Sequence, residues 1–107
     1  MANKTYIVDI DDTICCTPKI DGKPHYDKSE PWQYRIDKIN QLYDDGNTII
    51  YWTARGSSSG IDYYDLTVAQ LVKWGVKYHN AMVGKPSYDI WIDDKAINDE
   101  AFFDKYS

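Results

Sequence analysis

The feature that most constrains the fold is the alternation of short apolar runs with longer segments of helical periodicity. Thr5–Val8 and Thr48–Trp52 are rich in β-branched and aromatic residues, which is typical of buried strands. Residues 81–83 and 89–92 predict two further strands. Because helical patterns separate most of these runs, the chain predicts an α/β domain with a mainly parallel sheet covered on both faces.

Three segments have the spacing of amphipathic helices. The first has Ser29 as its predicted N-cap, Pro31 in its first turn and Gly46 at its end. The second runs from about residue 62 to residue 74. Asn98 can cap a third helix near the end of the chain. These patterns predict strand and helix order, and by themselves they predict no activity.

Length and charge limit the organisation and the partners. The 107 residues fit one domain, 1–107, with a flap-sized loop or short hairpin at about residues 14–30. A net charge of -5 argues against broad nucleic-acid binding, which needs a basic face. The two cysteines, Cys15 and Cys16, are adjacent, so we expect no disulfide framework and a reducing compartment. Without an apolar run of membrane-spanning length or a signal-peptide pattern, we expect a cytoplasmic protein with no membrane partner.

Polar side chains follow each predicted strand at the point where it ends. In an open parallel sheet these ends meet at one edge, where ligands gather. Carboxylates in such a cluster suit Mg²⁺, which prefers oxygen ligands, whereas the absence of cysteine and histidine from the cluster disfavours zinc. The residues concerned are Asp9 with Asp11, Thr53, Lys85, and Asp93 with Asp94.

This set can transfer a phosphoryl group. The carboxylate of Asp9 can accept the group as an aspartyl phosphate. Lys85 can bind a phosphate oxygen, and the Thr53 hydroxyl can donate a hydrogen bond to another. Asp11 can protonate the leaving oxygen and later activate water. The residues thus predict a magnesium-assisted phosphoryl transfer.

The ordered set resembles the haloacid dehalogenase superfamily of phosphohydrolases. Its first motif, Asp-x-Asp-x-Thr after an apolar strand, matches residues 9–13, and its second, a strand ending in Thr or Ser, matches Thr53. Lys85 matches the third motif, and the paired acids Asp93 and Asp94 match the fourth. The four motifs occur in the family's order and span residues 6–94.

The resemblance implies a role for each matching residue. Asp9 would be the nucleophile and a magnesium ligand, and Asp11 the general acid/base and a ligand through its backbone carbonyl. Thr53 and Lys85 would bind the transferring phosphoryl group. Asp93 would ligate the metal directly, with Asp94 supporting it directly or through water.

The resemblance also implies a three-layer α/β/α, Rossmann-like core. Neither residues 14–30 nor residues 54–80 are long enough for the inserted cap domain of most members, so the chain looks capless. Capless members act on large substrates or close the site with a neighbouring subunit, which makes a homo-oligomer one expectation. Short sequence segments at residues 53–56, 84–86 and 92–96 resemble those of small phosphatases of capsule and surface-polysaccharide biosynthesis.

Several alternatives stay open. The leading hypothesis is a phosphatase for a small phosphorylated metabolite such as a sugar phosphate. The first alternative is a nucleotide or nucleic-acid end phosphatase, and the second is a non-enzymatic binding module on the same fold. Arg55 is a candidate substrate contact or an ordinary surface residue. The flap residues Lys19, Lys23 and His25 either touch the leaving group or are merely solvated.

Overall fold

A three-stranded parallel sheet forms the centre of the computed structural model, which describes residues 3–106. Its strands lie in the order β1 (Thr5–Val8), β6 (Thr48–Trp52) and β7 (Asn80–Met82). Val8 lies opposite Tyr51, and Tyr51 lies opposite Ala81. Together with helices α1 (Gln33–Asp44), α2 (Tyr64–Lys73) and α3 (Asp99–Tyr106), this sheet confirms a small α/β fold.

The two faces of the sheet are covered unequally. Side chains alternate between the faces of a strand, so Val8 and its register partner Tyr51 share one face and are buried there. On the opposite face Ile7 is 64% exposed and Met82 is 43% exposed. The described residues therefore do not confirm the prediction that both faces are covered.

The buried face of the sheet forms the hydrophobic core with one side of each helix. α1 contributes Ile36 and Ile39, α2 contributes Leu71, and α3 contributes Phe103. These aliphatic and aromatic side chains are the ones that the helical periodicity places on a single face. Within residues 3–106, none of the helices combines the length and the apolar character needed to cross a membrane.

The predicted fourth strand at residues 89–92 is absent from the structure. Residues 83–98 contain no helix or strand, and Ile92 is 94% exposed. A short apolar run becomes a strand only when it pairs with a neighbouring edge and buries a face. In this segment Trp91 instead makes an edge-to-face contact with Trp52, and the two ring centres are 6.1 Å apart.

Helix α1 begins later than the sequence indicates. Its first residue is Gln33, and Ser29 is not its N-cap. Glu30–Pro31 forms the short strand β5, which pairs with β2 (Cys15–Cys16), so the chain is still extended where the helix was expected. The cap prediction for α3 is confirmed, because Asn98 Oδ1 accepts hydrogen bonds from the backbone N–H groups of Glu100 and Ala101.

Residues 14–30 form the flap, as predicted for a loop or short hairpin. Its tip is a hairpin of β3 (Lys19–Ile20) and β4 (Lys23–Pro24). The connecting residues Asp21 and Gly22 both have positive φ, 53° and 75°, as a tight two-residue hairpin turn requires. The β2–β5 pair closes the base of the flap.

Candidate active site

A pocket of about 850 Å³ opens at the carboxyl ends of β1 and β6. A volume of this order suits a small organic ligand. Residues after β1, after β6, from the flap and from the loop after β7 all line it. Five of the predicted site residues are among them: Asp9, Asp11, Thr53, Arg55 and Lys85.

Asp9 and Lys85 face each other in this pocket. Their Oδ1 and Nζ atoms are 3.8 Å apart, and the Lys85 side chain is largely buried while that of Asp9 is partly exposed. Burial raises the pKa of Asp9, and the positive charge of Lys85 opposes that rise. The pair therefore places a reactive carboxylate beside a cation that can hold an anionic group.

Lys85 is fixed by backbone contacts and by two aromatic rings. Its N–H donates to the carbonyl oxygen of Thr53 at 3.2 Å, and the Ser57 hydroxyl donates to the Lys85 carbonyl oxygen at 2.6 Å. The ammonium group lies 5.2 Å from the ring centre of Tyr88 and 5.6 Å from that of Trp91. Cation–π contacts of this kind orient the lysine without neutralising its charge.

Thr53 follows β6 and is buried at the floor of the pocket. Its hydroxyl oxygen accepts a hydrogen bond from the backbone N–H of Arg55 at 3.1 Å. That bond leaves the hydroxyl hydrogen free to be donated elsewhere.

Arg55 is buried, with 2% of its surface exposed, so the alternative of an ordinary surface residue is wrong. Its Nε and Nη2 atoms donate to Asp11 Oδ2 and Oδ1 at 2.9 and 2.8 Å. Its Nη1 donates to Thr67 and Gln70 of α2 at 3.2 and 2.6 Å. The guanidinium thus connects Asp11, in the pocket, to helix α2.

Asp11 and Arg55 also bind the two ends of the flap, at Thr17 and Ser29. The Thr17 hydroxyl donates to Asp11 Oδ1 at 2.5 Å, and Thr17 and Ser29 share a hydrogen bond of 2.7 Å. Arg55 Nη2 donates to the Ser29 hydroxyl at 3.4 Å, which closes a four-residue ring. This ring, Asp11–Thr17–Ser29–Arg55, fixes the flap base against the pocket.

Cys15 packs under the same ring. Its thiol lies 3.8 Å from Asp11 Oδ1 and from the Thr17 hydroxyl. Burial, with a further contribution from the charge of Asp11, raises the pKa of Cys15 to about 11. The thiol is therefore protonated at neutral pH, as suits a side chain that packs in the interior.

Asp93 and Asp94 do not line the pocket. Asp93 Oδ1 accepts the backbone N–H of Lys95 at 2.7 Å, and this bond lowers the pKa of Asp93. Asp94 pairs with the Lys95 ammonium on the exposed surface. Because residues 89–92 do not pair with β1, the predicted meeting of these acids with Asp9 is absent from the structure.

The hydrogen-bond partners of Arg55 on α2 were missed by the sequence reasoning. Thr67 and Gln70 are three residues apart, so they lie on one face of the helix. Both are buried beside Leu71, where apolar residues are the rule. Two polar residues on a buried helix face were a usable signal that a polar partner lies opposite.

The chain matches no family model and no curated protein. Among solved structures it is similar to the crystal structure of a structural-genomics (MCSG) target from Vibrio cholerae. The TM-score is 0.77 at 26% identity, over 92% of this chain and 86% of that chain. The description of that protein states no activity, so the likeness supports the α/β fold of this chain.

Proposed function

We propose that this chain is a phosphomonoester hydrolase that uses Asp9 as its nucleophile. The observation that carries the proposal is the Asp9–Lys85 pair, 3.8 Å apart, in a pocket that Asp11 and Thr53 also line. A carboxylate beside a largely buried cation, with a second carboxyl nearby, suits attack on phosphorus. The order of the four motifs favours a capless member of the haloacid dehalogenase superfamily with a three-layer core.

In the proposed reaction an oxygen of Asp9 forms a bond to phosphorus, and the bond from phosphorus to the leaving oxygen breaks. Lys85 stabilises negative charge on the phosphoryl oxygens, and Thr53 can donate its hydroxyl hydrogen to one of them. A water molecule then attacks the aspartyl phosphate, which releases inorganic phosphate and restores the Asp9 carboxylate.

Asp11 would give a proton to the leaving oxygen and later take one from the attacking water. Its two oxygens differ in the bonds that they accept. Oδ1 accepts Thr17 and two donors of Arg55, whereas Oδ2 accepts only Arg55 Nε at 2.9 Å among the described residues. Oδ2 therefore has a lone pair that no described donor occupies, and we propose that it is the oxygen that gives and takes the proton.

Magnesium dependence is part of the proposal, but the described residues do not form a complete metal site. Across residues 3–106 no three histidine, cysteine, aspartate or glutamate side chains lie close enough together to hold a metal ion. Asp9 supplies one carboxylate, Asp11 is bound by Arg55, and Asp93 lies on an exposed loop. The proposed steps therefore rest on the side chains of Asp9, Asp11, Thr53 and Lys85 alone.

A screen for phosphate release would test the function. Purified protein is incubated with sugar phosphates, nucleotides, small-acid phosphates and end-phosphorylated oligonucleotides, with Mg²⁺ or with EDTA. We expect release from small phosphorylated metabolites, no release by Asp9→Asn, and unchanged release by Asp65→Asn, which removes an exposed acid outside the pocket lining. Background release from the whole panel would refute the hydrolase and favour a binding module.

A further inference from the structure

The pocket has an excess of positive charge on its flap side. Two of its acids are paired, Asp9 with Lys85 and Asp11 with Arg55. The remaining charged residues of the lining are Asp12, Lys19 and Lys23. The lining therefore holds four cations against three acids, a net positive charge inside a chain whose net charge is -5.

Lys19 and Lys23 are exposed at the pocket and have no acidic partner within the described part of the chain. They belong to the two strands of the flap hairpin, where Lys19 lies opposite Pro24 and Lys23 lies opposite Ile20. The two side chains therefore leave opposite faces of the hairpin, and both line the pocket. No neighbouring acid offsets these two charges, so both can attract an anionic ligand.

Hydrogen bonds fix the base of the flap, and this fixes the position of the hairpin relative to the pocket. Thr17 and Ser29, at the two stems, are bound into the ring with Asp11 and Arg55. The Tyr26 ring lies 4.9 Å from the Arg55 guanidinium, and the Tyr26 carbonyl oxygen accepts a hydrogen bond from Gln70 at 2.6 Å. The flap is thus anchored to both the pocket and α2.

From this charge distribution we infer that the substrate carries a second anionic group on its leaving part. The inference rests on the proposed function: one phosphoryl group lies against both Asp9 and Lys85, and Lys19 and Lys23 bind the second anion. That anion is a phosphate or a carboxylate. A pocket of about 850 Å³ has room for a sugar-sized body between the two.

Binding to the turnover-deficient Asp9→Asn protein tests the inference without relying on catalysis. Isothermal titration compares fructose 6-phosphate with fructose 1,6-bisphosphate, and glucose 6-phosphate with 6-phosphogluconate. We expect the probe with two anions to bind on the order of tenfold more tightly in at least one pair, as two exposed charge contacts allow. The pair that shows the preference identifies the second anion as phosphate or carboxylate.

The preference should disappear when Lys19→Met and Lys23→Met are combined, and it should shrink at high salt. Lys28→Met is the matched control, because Lys28 is an exposed flap lysine that lies outside this pocket lining. Equal binding of both members of each pair, or an equal loss in Lys28→Met, would overturn the inference.

The two proposals fail in different ways. If wild-type protein releases phosphate but shows no preference for a second anion, the proposed function stands and this inference is wrong. If the protein prefers the doubly anionic probes but never releases phosphate, the anion site stands and the hydrolase is wrong. If none of the four probes binds, the inference is overturned, and the phosphate-release screen alone decides the function.

Discussion

The buried guanidinium of Arg55 donates hydrogen bonds to the carboxylate of Asp11 from two different nitrogens. Nε donates to Oδ2 at 2.9 Å and Nη2 donates to Oδ1 at 2.8 Å. The side chain of Arg55 is fully buried, whereas that of Asp11 reaches the pocket. A bidentate pair of this kind fixes the orientation of both groups, so an interior residue determines how a proposed catalytic acid faces the substrate.

Replacing Arg55 should destabilise the protein strongly. In Arg55→Met the carboxylate of Asp11 loses its cation, and Gln70 and Thr67 lose a shared donor. Breaking a buried ion pair from one side costs about 3–5 kcal/mol. Denaturant unfolding measures the loss. Lys77→Met breaks the half-exposed pair with Asp44 and should cost less than about 1 kcal/mol. If both variants lost the same free energy of unfolding, the Arg55 network would contribute no more to stability than an exposed ion pair does.

Tyr51→Phe should leave stability unchanged or raise it slightly. Tyr51 is fully buried, and its hydroxyl is the one buried side-chain polar atom in the described chain without a hydrogen-bond partner. Burial without a partner costs about 1–3 kcal/mol, so removing the oxygen removes that penalty. Thermal unfolding of the two proteins measures the change. A clear loss of stability in Tyr51→Phe would mean that the hydroxyl is satisfied, for example by a buried water.

Local patterns predicted the parts of this molecule that depend on local interactions. The strand at residues 48–52 and the Asn98 cap follow from residues within a few positions of each other. The Arg55 network joins residues up to 44 positions apart, from Asp11 to Arg55 and from Tyr26 to Gln70, and no spacing rule reports such contacts. Ser29 illustrates the conflict: its sequence suits a helix cap, but its hydroxyl bonds to Thr17.

The candidate site was predictable where it depends on strand ends alone. Asp9 and Thr53 follow β1 and β6, which are paired, so their convergence on one pocket was expected and is found. The convergence of Asp93 required a fourth strand beside β1, a long-range pairing that a run of four residues does not specify. That is why the sequence placed Asp9, Asp11, Thr53 and Lys85 in the pocket, left Arg55 open and misplaced the last acidic pair.

The two neighbouring cysteines should differ sharply in reactivity. Cys15 is buried with its pKa raised to about 11, so almost none of it is thiolate at neutral pH. Cys16 is exposed. Iodoacetamide at neutral pH should therefore label Cys16 alone in the folded protein and both residues in denaturant, as read by peptide mass spectrometry. Rapid labelling of Cys15 in the folded protein would contradict the packing described around Asp11.

Asp9→Asn should stabilise the protein at neutral pH while removing activity. Burial raises the pKa of Asp9 in the folded state, so the folded protein holds the Asp9 proton more tightly than the unfolded chain does. The stability that this acid costs therefore grows as the pH rises from its unfolded pKa to its folded pKa, is fully present above the folded pKa and is absent below the unfolded pKa. The variant should melt at a higher temperature than wild type at pH 7 and at a similar temperature in acid. A lower melting temperature at pH 7 would show that the attraction to Lys85 outweighs burial.

Magnesium should order the loop that carries Asp93. Because Asp93 is exposed and bound to Lys95, a metal held with Asp9 requires residues 89–94 to approach the end of β1. We expect Mg²⁺ to slow amide hydrogen exchange in this loop and to stimulate phosphate release. Asp93→Asn should lose both effects. Asp89→Asn is the control, since Asp89 is an exposed acid of the same segment outside the four motifs. If Asp93→Asn keeps full magnesium stimulation, the metal binds through the acids at the pocket alone and the fourth motif has no role in holding it.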